Sequence, residues 1–252
     1  MKPLHAYVIN LDRAPERWAH IERSFAKKNF SLIRVPAIDG KNLTLPSADF
    51  DAKGFERFHG RVLNIFELAC SLSHLKALRA FLASNEDHAM ICEDDIFFDD
   101  QLEAILSGAL NYSSSWNILR LTGLSNAGLA TPVQKLIGDY SLCVEFGRLK
   151  GGAAYLIDRK AAAIFLQKLL PMWLPWDHAF DREWFFRLRA LSIRPFPISQ
   201  TDEKFSSAIQ KNSQPKLSRW KRYLTTYPYQ AFNEVSRWLF RFWALLCWKV
   251  GR

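Results

Sequence analysis

The chain has 252 residues, 49% hydrophobic and 23% charged, enough to bury a full core and too apolar for a disordered segment. Its formal charge of +9 is unevenly placed: from residue 211 onward nine bases meet the single acid Glu234, so this tail carries +8 and the rest only +1. The basicity therefore does not describe a nucleic-acid-binding core.

Cys70, Cys92, Cys143 and Cys247 are widely spaced, without zinc-finger spacing or the density of a disulfide framework, which points to a reducing compartment. The opening "MKPLHAYVINLDR" is too short in its apolar stretch for a signal peptide. No run approaches the roughly 18 apolar residues of a spanning helix. The expectation is a cytoplasmic protein.

"HAYVIN" reads as a buried strand. Asp12 can cap the helix that follows, Pro15 suits its first turn, and Trp18, Ile21 and Phe25 share a face. "SLIRVPAIDG" is the second strand, ending at Asp39-Gly40, and residues 41–61 read as an irregular insertion. "NIFELACSLSHLKALRAFLAS" is a helix with Leu68, Leu72, Leu75, Leu78 and Leu82 near one face, and "HAMIC" is the third strand. This β-α-β-α-β order predicts a parallel sheet, with Asn10 to Arg13, Asp39-Gly40 and Glu93 to Asp95 on one carboxyl-end rim. Beyond it, "DDQLEAILSGAL" reads as a helix capped by Asp99 or Asp100. "WNILRL", "YSLCVEFG" and "GGAAYLID" read as strands, and "RKAAAIFLQKLL" as a helix stopped by Pro171. "PMWLPWDHAFDREWFFRLRAL" is a loop becoming a helix, and "IRPFPISQ" is a last strand.

The cluster in "MICEDDIFFDD" is unfavourable unless something positive compensates it. Glu93 and Asp95 have the spacing to hold Mg²⁺ or Mn²⁺ against a diphosphate, with Asp94 facing elsewhere. The triplet alone equally suits turn residues and helix caps ahead of "QLEAIL". A receiver-type phosphoacceptor site lacks its further Asp on a later strand. Arg13 and Arg17, four apart, fit either an anionic nucleotide or a solvated helix face. His74 on its own reads as a helix-surface or satisfied core residue.

"YVINLDRAPERW", "VPAIDG", "ELACSLSHLKAL", "MICEDDIFF", "GGAAYLIDRKAA" and "ISQTDEKFSSAI", taken in order over roughly residues 5–210, resemble the bacterial family-25 glycosyltransferases. These build lipooligosaccharide and lipopolysaccharide cores and are related to the collagen galactosyltransferases. The resemblance implies an α/β, GT-A-like fold, a Rossmann-type, mainly parallel central sheet flanked by helices; the residues beyond it read as a basic aromatic C-terminal helical tail. Domain limits of 1–210 for the catalytic unit and 211–252 for the tail follow. It implies a UDP-sugar donor, usually UDP-galactose, inversion at the anomeric carbon, and Mn²⁺ or Mg²⁺ held by Glu93 and Asp95. Asn10, Leu11, Arg13, Arg17, Asp39, Gly40, Ser73, His74, Gly152, Gln200 and Ser207 would line the donor side. Asp177 falls at the family's Pro-x-Asp acid and is the expected general base, with Asp181 and Glu183 as neighbouring candidates. Ala69 stands where the family commonly has Gly, and the first metal acid is Glu93 rather than Asp, which lengthens that ligand and is frequent in the family.

In the tail, four tryptophans are interleaved with bases, and Phe232, Val235, Leu239, Phe242 and Leu246 trace an apolar stripe. Such a helix suits the anionic inner face of the cytoplasmic membrane, where a lipid-linked oligosaccharide acceptor is built, or else packs on the domain or on a second copy. No nucleic-acid partner is expected. The competing functions are a metal-dependent nuclease using the acids and the basic aromatic tail, and a non-catalytic membrane-bound scaffold.

Overall fold

The computed structural model describes residues 2–123, 128–149, 151–200 and 214–249. Strand β1 (Leu4–Asn10) explains the layering: Ala6 and Val8 pack into one core and Tyr7 and Ile9 into another on the opposite face. Met90 and Cys92 alternate in the same way with Ala89 and Ile91 in β3 (His88–Glu93). Helices α1 (Pro15–Phe25) and α4 (Leu102–Leu110) cover the first face, α3 (Ile65–Leu82) and α5 (Arg159–Lys168) the second.

The sheet has eight strands in the order β2-β1-β3-β8-β5-β9-β7-β6, with β2 (Phe30–Pro36), β5 (Ile118–Arg120), β6 (Ala130–Lys135), β7 (Ser141–Glu145), β8 (Ala154–Asp158) and β9 (Ala190–Arg194). β1 runs parallel to β2 and β3, which is the expected β-α-β-α-β unit. Beyond it the sheet is mixed: β8 is antiparallel to both β3 and β5, β7 to both β9 and β6, and only β5 and β9 are parallel. The α/β class and flanking helices are as expected, with more strand reversal than a mainly parallel sheet has. A separate ribbon pairs β4 (Ile96–Phe98) with β10 (Ile198–Gln200).

Several local expectations are corrected. Residues 41–61 contain a helix, α2 (Ala52–His59), capped by the Asp51 side chain and closed by Gly60 at φ 76°, the left-handed region glycine favours. Asp12 does not cap α1, whose N-cap is Ala14; its carboxylate accepts from Arg34 instead. Asp99 accepts from the Gln101 amide just before α4. The predicted helix after Pro171 is two short pieces, α6 (Trp176–Phe180) and α7 (Glu183–Phe186), and "ALSIR" forms β9. The leucines of α3 underestimate its burial, because Ser73, His74 and Phe81 are buried as well.

The tail forms α8 (Arg219–Leu224) and α9 (Thr226–Lys249). α9 docks on the domain through a polar face of Thr226, Asn233, Arg237 and Arg241, with Leu245. The five-residue stripe faces outward, Leu239 being 67% and Phe242 53% exposed, and Trp238 and Trp243 extend it. Two of the tail's bases, Arg237 and Arg241, are buried and point into the protein. No helix among the described residues is long and apolar enough to cross a membrane.

Candidate active site

The parallel register brings three turns to one rim: Asn10 pairs with Pro36 across β1–β2, and Ile9 with Glu93 across β1–β3. Ligands of such sheets bind outside the carboxyl ends of the strands. Here a cavity of about 330 Å³ opens there, lined by Leu11, Arg13, Arg17, Asp39, Gly40, Ser73 and His74 with Glu93, Asp94 and Asp95. Seven of the expected donor-side residues therefore meet the acidic cluster. Arg13 Nε donates to Asp39 Oδ2 at 2.6 Å, and that guanidinium holds the Asp39 carboxyl below its ordinary range. Ser73 accepts from the Ile38 amide at 2.8 Å and donates to the Ala69 carbonyl, fixing the turn after β2 to α3.

The three acids have different work. Asp94 is buried and accepts from Asn10 Nδ2 (2.6 Å) and Arg17 Nη1 (3.0 Å). Burial pushes its pKa up, against those two bonds. Asn10 is wholly buried and is corrected from donor contact to brace, since its amide also reaches the Ala14 carbonyl and accepts from Arg34. Glu93 and Asp95 share one amide, Gln200 Nε2, at 3.4 and 2.9 Å. The β4–β10 ribbon places it, with Gln200 opposite Ile96. Burial, then the Glu93 charge, pushes Asp95 up to about 7.

Behind Glu93, the antiparallel β3–β8 pairing sets Cys92 opposite Ala154, and the Glu93 amide donates to the Ala153 carbonyl. Gly152 therefore lies behind the acids rather than on the cavity wall, where a Cβ would come within 3.1 Å of the Trp176 ring. His74 stacks on Trp176 at 4.4 Å and 5°, meets the Tyr155 hydroxyl through Nδ1 at 3.2 Å, and turns Nε2 to within 3.5 Å of Glu93 Oε1. Buried His74 Nε2 and Trp176 Nε1 find no hydrogen-bond partner among the described residues.

This donor set fits a hard divalent cation: two carboxylates crowd one amide, one is pushed toward neutrality, and an orphaned nitrogen faces them. Cys70 Sγ, His74 and Glu93 also bring ligand atoms within 4.8 Å of one another. Burial raises the Cys70 thiol well above its ordinary range, followed by the charges of Glu93, Asp177, Glu67 and Asp95. Those four acids thus converge around one helix turn. Glu67 and Cys70 were missed from sequence, although 67, 70 and 74 fall on one helical face.

Asp177 lines a second cavity together with Glu67. Burial pushes Glu67 up to about 7; the Asn64 amide opposes this and the Asp177 charge adds to it. Asp181 and Glu183, expected as base candidates, are corrected. Asp181 is wholly buried and paired with Arg120 (3.1 Å), Arg237 (3.3 Å) and Arg241 (2.9 Å). Glu183 is equally buried and accepts from Arg241 Nε. Burial pulls the Arg241 pKa down, and Glu183 and Asp181 more than reverse it. These acids anchor the tail helix, and their charges are already matched. Ser207 lies outside the described residues.

Fold and site together define an α/β architecture with an acidic rim at the carboxyl ends of its parallel strands. The sequence model described as "Glycosyltransferase family 25 (LPS biosynthesis protein)" matches residues 4–180. The chain belongs to glycosyltransferase family 25. It is 26% identical over 232 residues to a "Glycosyltransferase 25 family member" of Drosophila pseudoobscura pseudoobscura, covering 83% of this chain and 37% of that protein. To "Procollagen galactosyltransferase 1" of Danio rerio it is 24% identical over 182 residues, 66% of this chain and 30% of the other. To "Inactive glycosyltransferase 25 family member 3" of Mus musculus it is 29% identical over 124 residues, 46% and 21%. The chain spans well under half the length of these relatives.

Proposed function

We propose that the protein is an inverting galactosyltransferase that moves the sugar of UDP-galactose to a lipooligosaccharide or lipopolysaccharide core, with Mn²⁺ or Mg²⁺ held by Glu93 and Asp95. The carrying observation is the Glu93–Asp95–Gln200 knot on the same rim as Arg13, Arg17, Asp39 and Gly40. A divalent cation there would neutralise the acids and stabilise a departing diphosphate. Arg13 and Arg17 suit the nucleotide side, Asp94 and Asn10 brace the turn, and His74, stacked on the Trp176 ring, turns Nε2 toward Glu93. The donor sugar follows the family pattern and the galactosyltransferase name of one relative.

Inversion by single displacement joins an acceptor hydroxyl oxygen to the anomeric carbon as the bond to the diphosphate breaks. The hydroxyl proton goes to a base, and Asp177 is that base in this reading. Its neighbour Glu67 is pushed up to about 7, by burial first and by the nearby Asp177 charge as well.

The outward stripe on α9, together with exposed Trp220 and Tyr223, suits the interface of an anionic membrane and supports a reading in which the enzyme works at the inner face of the cytoplasmic membrane on a lipid-linked acceptor. Calorimetric titration of UDP with and without Mn²⁺ tests the core of the proposal. Metal-dependent binding is expected, and absence of binding in both conditions refutes it.

A further inference from the structure

The second cavity, of about 380 Å³ and within the range of small-molecule sites, meets α3 at Glu67, on the same helical face as Cys70 and His74. Four cations line it, Arg61, Arg148, Lys216 and Arg222, against the acids Glu67 and Asp177. Arg148 is committed, donating through Nε and Nη2 to Glu234 at 3.0 and 2.7 Å. Arg61, Lys216 and Arg222 have no carboxylate in salt-bridge reach among the described residues. Arg222 Nε is moreover buried without a hydrogen-bond partner. Its side chain is held in place: Cδ lies 3.2 Å from where a Cβ on Gly60 would be, and the guanidinium sits over the Tyr227 ring at 5.4 Å.

An orphaned guanidinium beside two further cations with no carboxylate in salt-bridge reach is the chemistry that recognises an anion. His59 in the same wall supports this. Burial holds it neutral, its pKa lowered to about 3, and the charges of His178, Arg61 and Arg148 push in the same direction. The charges that bear on His59 are thus all positive.

We propose that this cavity is the acceptor subsite and that it selects an acceptor sugar carrying an anionic substituent, a phosphate or a carboxylate. Arg61 and Arg222 grip the anion, Lys216 closes the exposed rim, and the sugar's hydroxyl is presented to Asp177 on the facing wall. The inference rests on the transferase reading above. A lipid headgroup of the bilayer is the less suited source of such an anion. The start of α9 turns Thr226 and Gln230 into the cavity, whereas Phe232, Val235 and Leu239, the residues suited to lipid, face outward.

The test uses the full chain saturated with UDP and Mn²⁺, so that the diphosphate subsite is filled. Glucose, glucose 6-phosphate and glucuronate are titrated calorimetrically. At least one charged sugar should bind tenfold or more tightly than glucose. Arg61→Gln/Arg222→Gln should abolish that preference while UDP affinity stays unchanged, and Arg61→Lys/Arg222→Lys should keep most of it. Should the glutamine pair fail to fold, Lys216→Gln at the exposed rim should still lower the preference two- to threefold. Equal affinity for charged and neutral sugars, or a preference that survives the glutamine pair, overturns the proposal. So does glucose 6-phosphate failing to bind while vesicles of phosphatidylglycerol lose affinity in the glutamine pair, since the anion is then a headgroup. If the wild type does not bind UDP, the transferase reading fails separately, and the same titrations without nucleotide still read this cavity.

Discussion

Replacing Arg241 by methionine keeps much of the side chain's apolar length and deletes its charge. The wild-type guanidinium is buried, accepted by Glu183 Oε1, Asp181 Oδ1 (2.9 Å) and the Gly147 carbonyl (2.8 Å). Asp181 retains Arg120 and Arg237, but Glu183 loses its only salt-bridge partner among the described residues. Stripping one partner from a buried ion pair costs about 3–5 kcal/mol, because the remaining charge has neither water nor a counter-ion. In a chain of this size each kcal/mol moves Tm by about 2–4 °C, so Arg241→Met should melt roughly 6–20 °C lower. Adding Glu183→Gln removes the stranded charge, and the double variant should recover on the order of 1–3 kcal/mol. Thermal and urea unfolding followed by circular dichroism read both effects. A fall below about 2 °C, or strict additivity in the double variant, would refute the buried anchoring of α9.

Asp177→Asn should bind UDP as the wild type does and lose transfer by about 10²–10⁴-fold; near-normal transfer would move the base role to Glu67. Asp95→Ala should remain folded and lose Mn²⁺-dependent UDP binding, and unchanged metal dependence in calorimetry would remove it as a ligand. His59 is held neutral down to about 3, whereas the unfolded chain takes up this proton near 6.5. Its contribution is therefore present above 6.5 and lost as pH falls toward 3, by up to about 2 kcal/mol at pH 5. His59→Gln should flatten acid unfolding over that window, and an unaltered pH profile would contradict the assignment. Leu239→Ser/Phe242→Ser should release the protein from anionic vesicles without shifting its Tm; truncating the tail is the wrong perturbation, because it uncovers Asp181 and Glu183.

The first half of the fold was readable because it is local: alternating strands, a Pro-started helix and acids directly after a strand need no distant partner. The same holds for the rim of Asn10 to Arg13, Asp39-Gly40 and Glu93 to Asp95, whereas Ser73 and His74 were pointed to by the family resemblance alone. What escaped depends on long-range pairing. Gln200 reaches Asp95 through a ribbon joining segments about a hundred residues apart, and only the resemblance pointed to it. Asp181 and Glu183 look like accessible acids beside Asp177 until α9 returns with Arg237 and Arg241. The helix α2 was overlooked although Asp51 and Gly60 bracket it, because its apolar pattern is short. Edge strand β6 carries Pro132 and polar residues, so alternation did not reveal it.

The arginine anchor also bears on how such chains can be recombined. Asp181 and Glu183 sit just beyond the stretch that matches the family, and besides Arg120 the cations that neutralise them arrive more than fifty residues later. A terminal helix borrowed from a relative cannot simply be grafted here. It must bring arginines at the positions of 237 and 241, or the host must surrender both acids, so these four sites should be inherited as one unit.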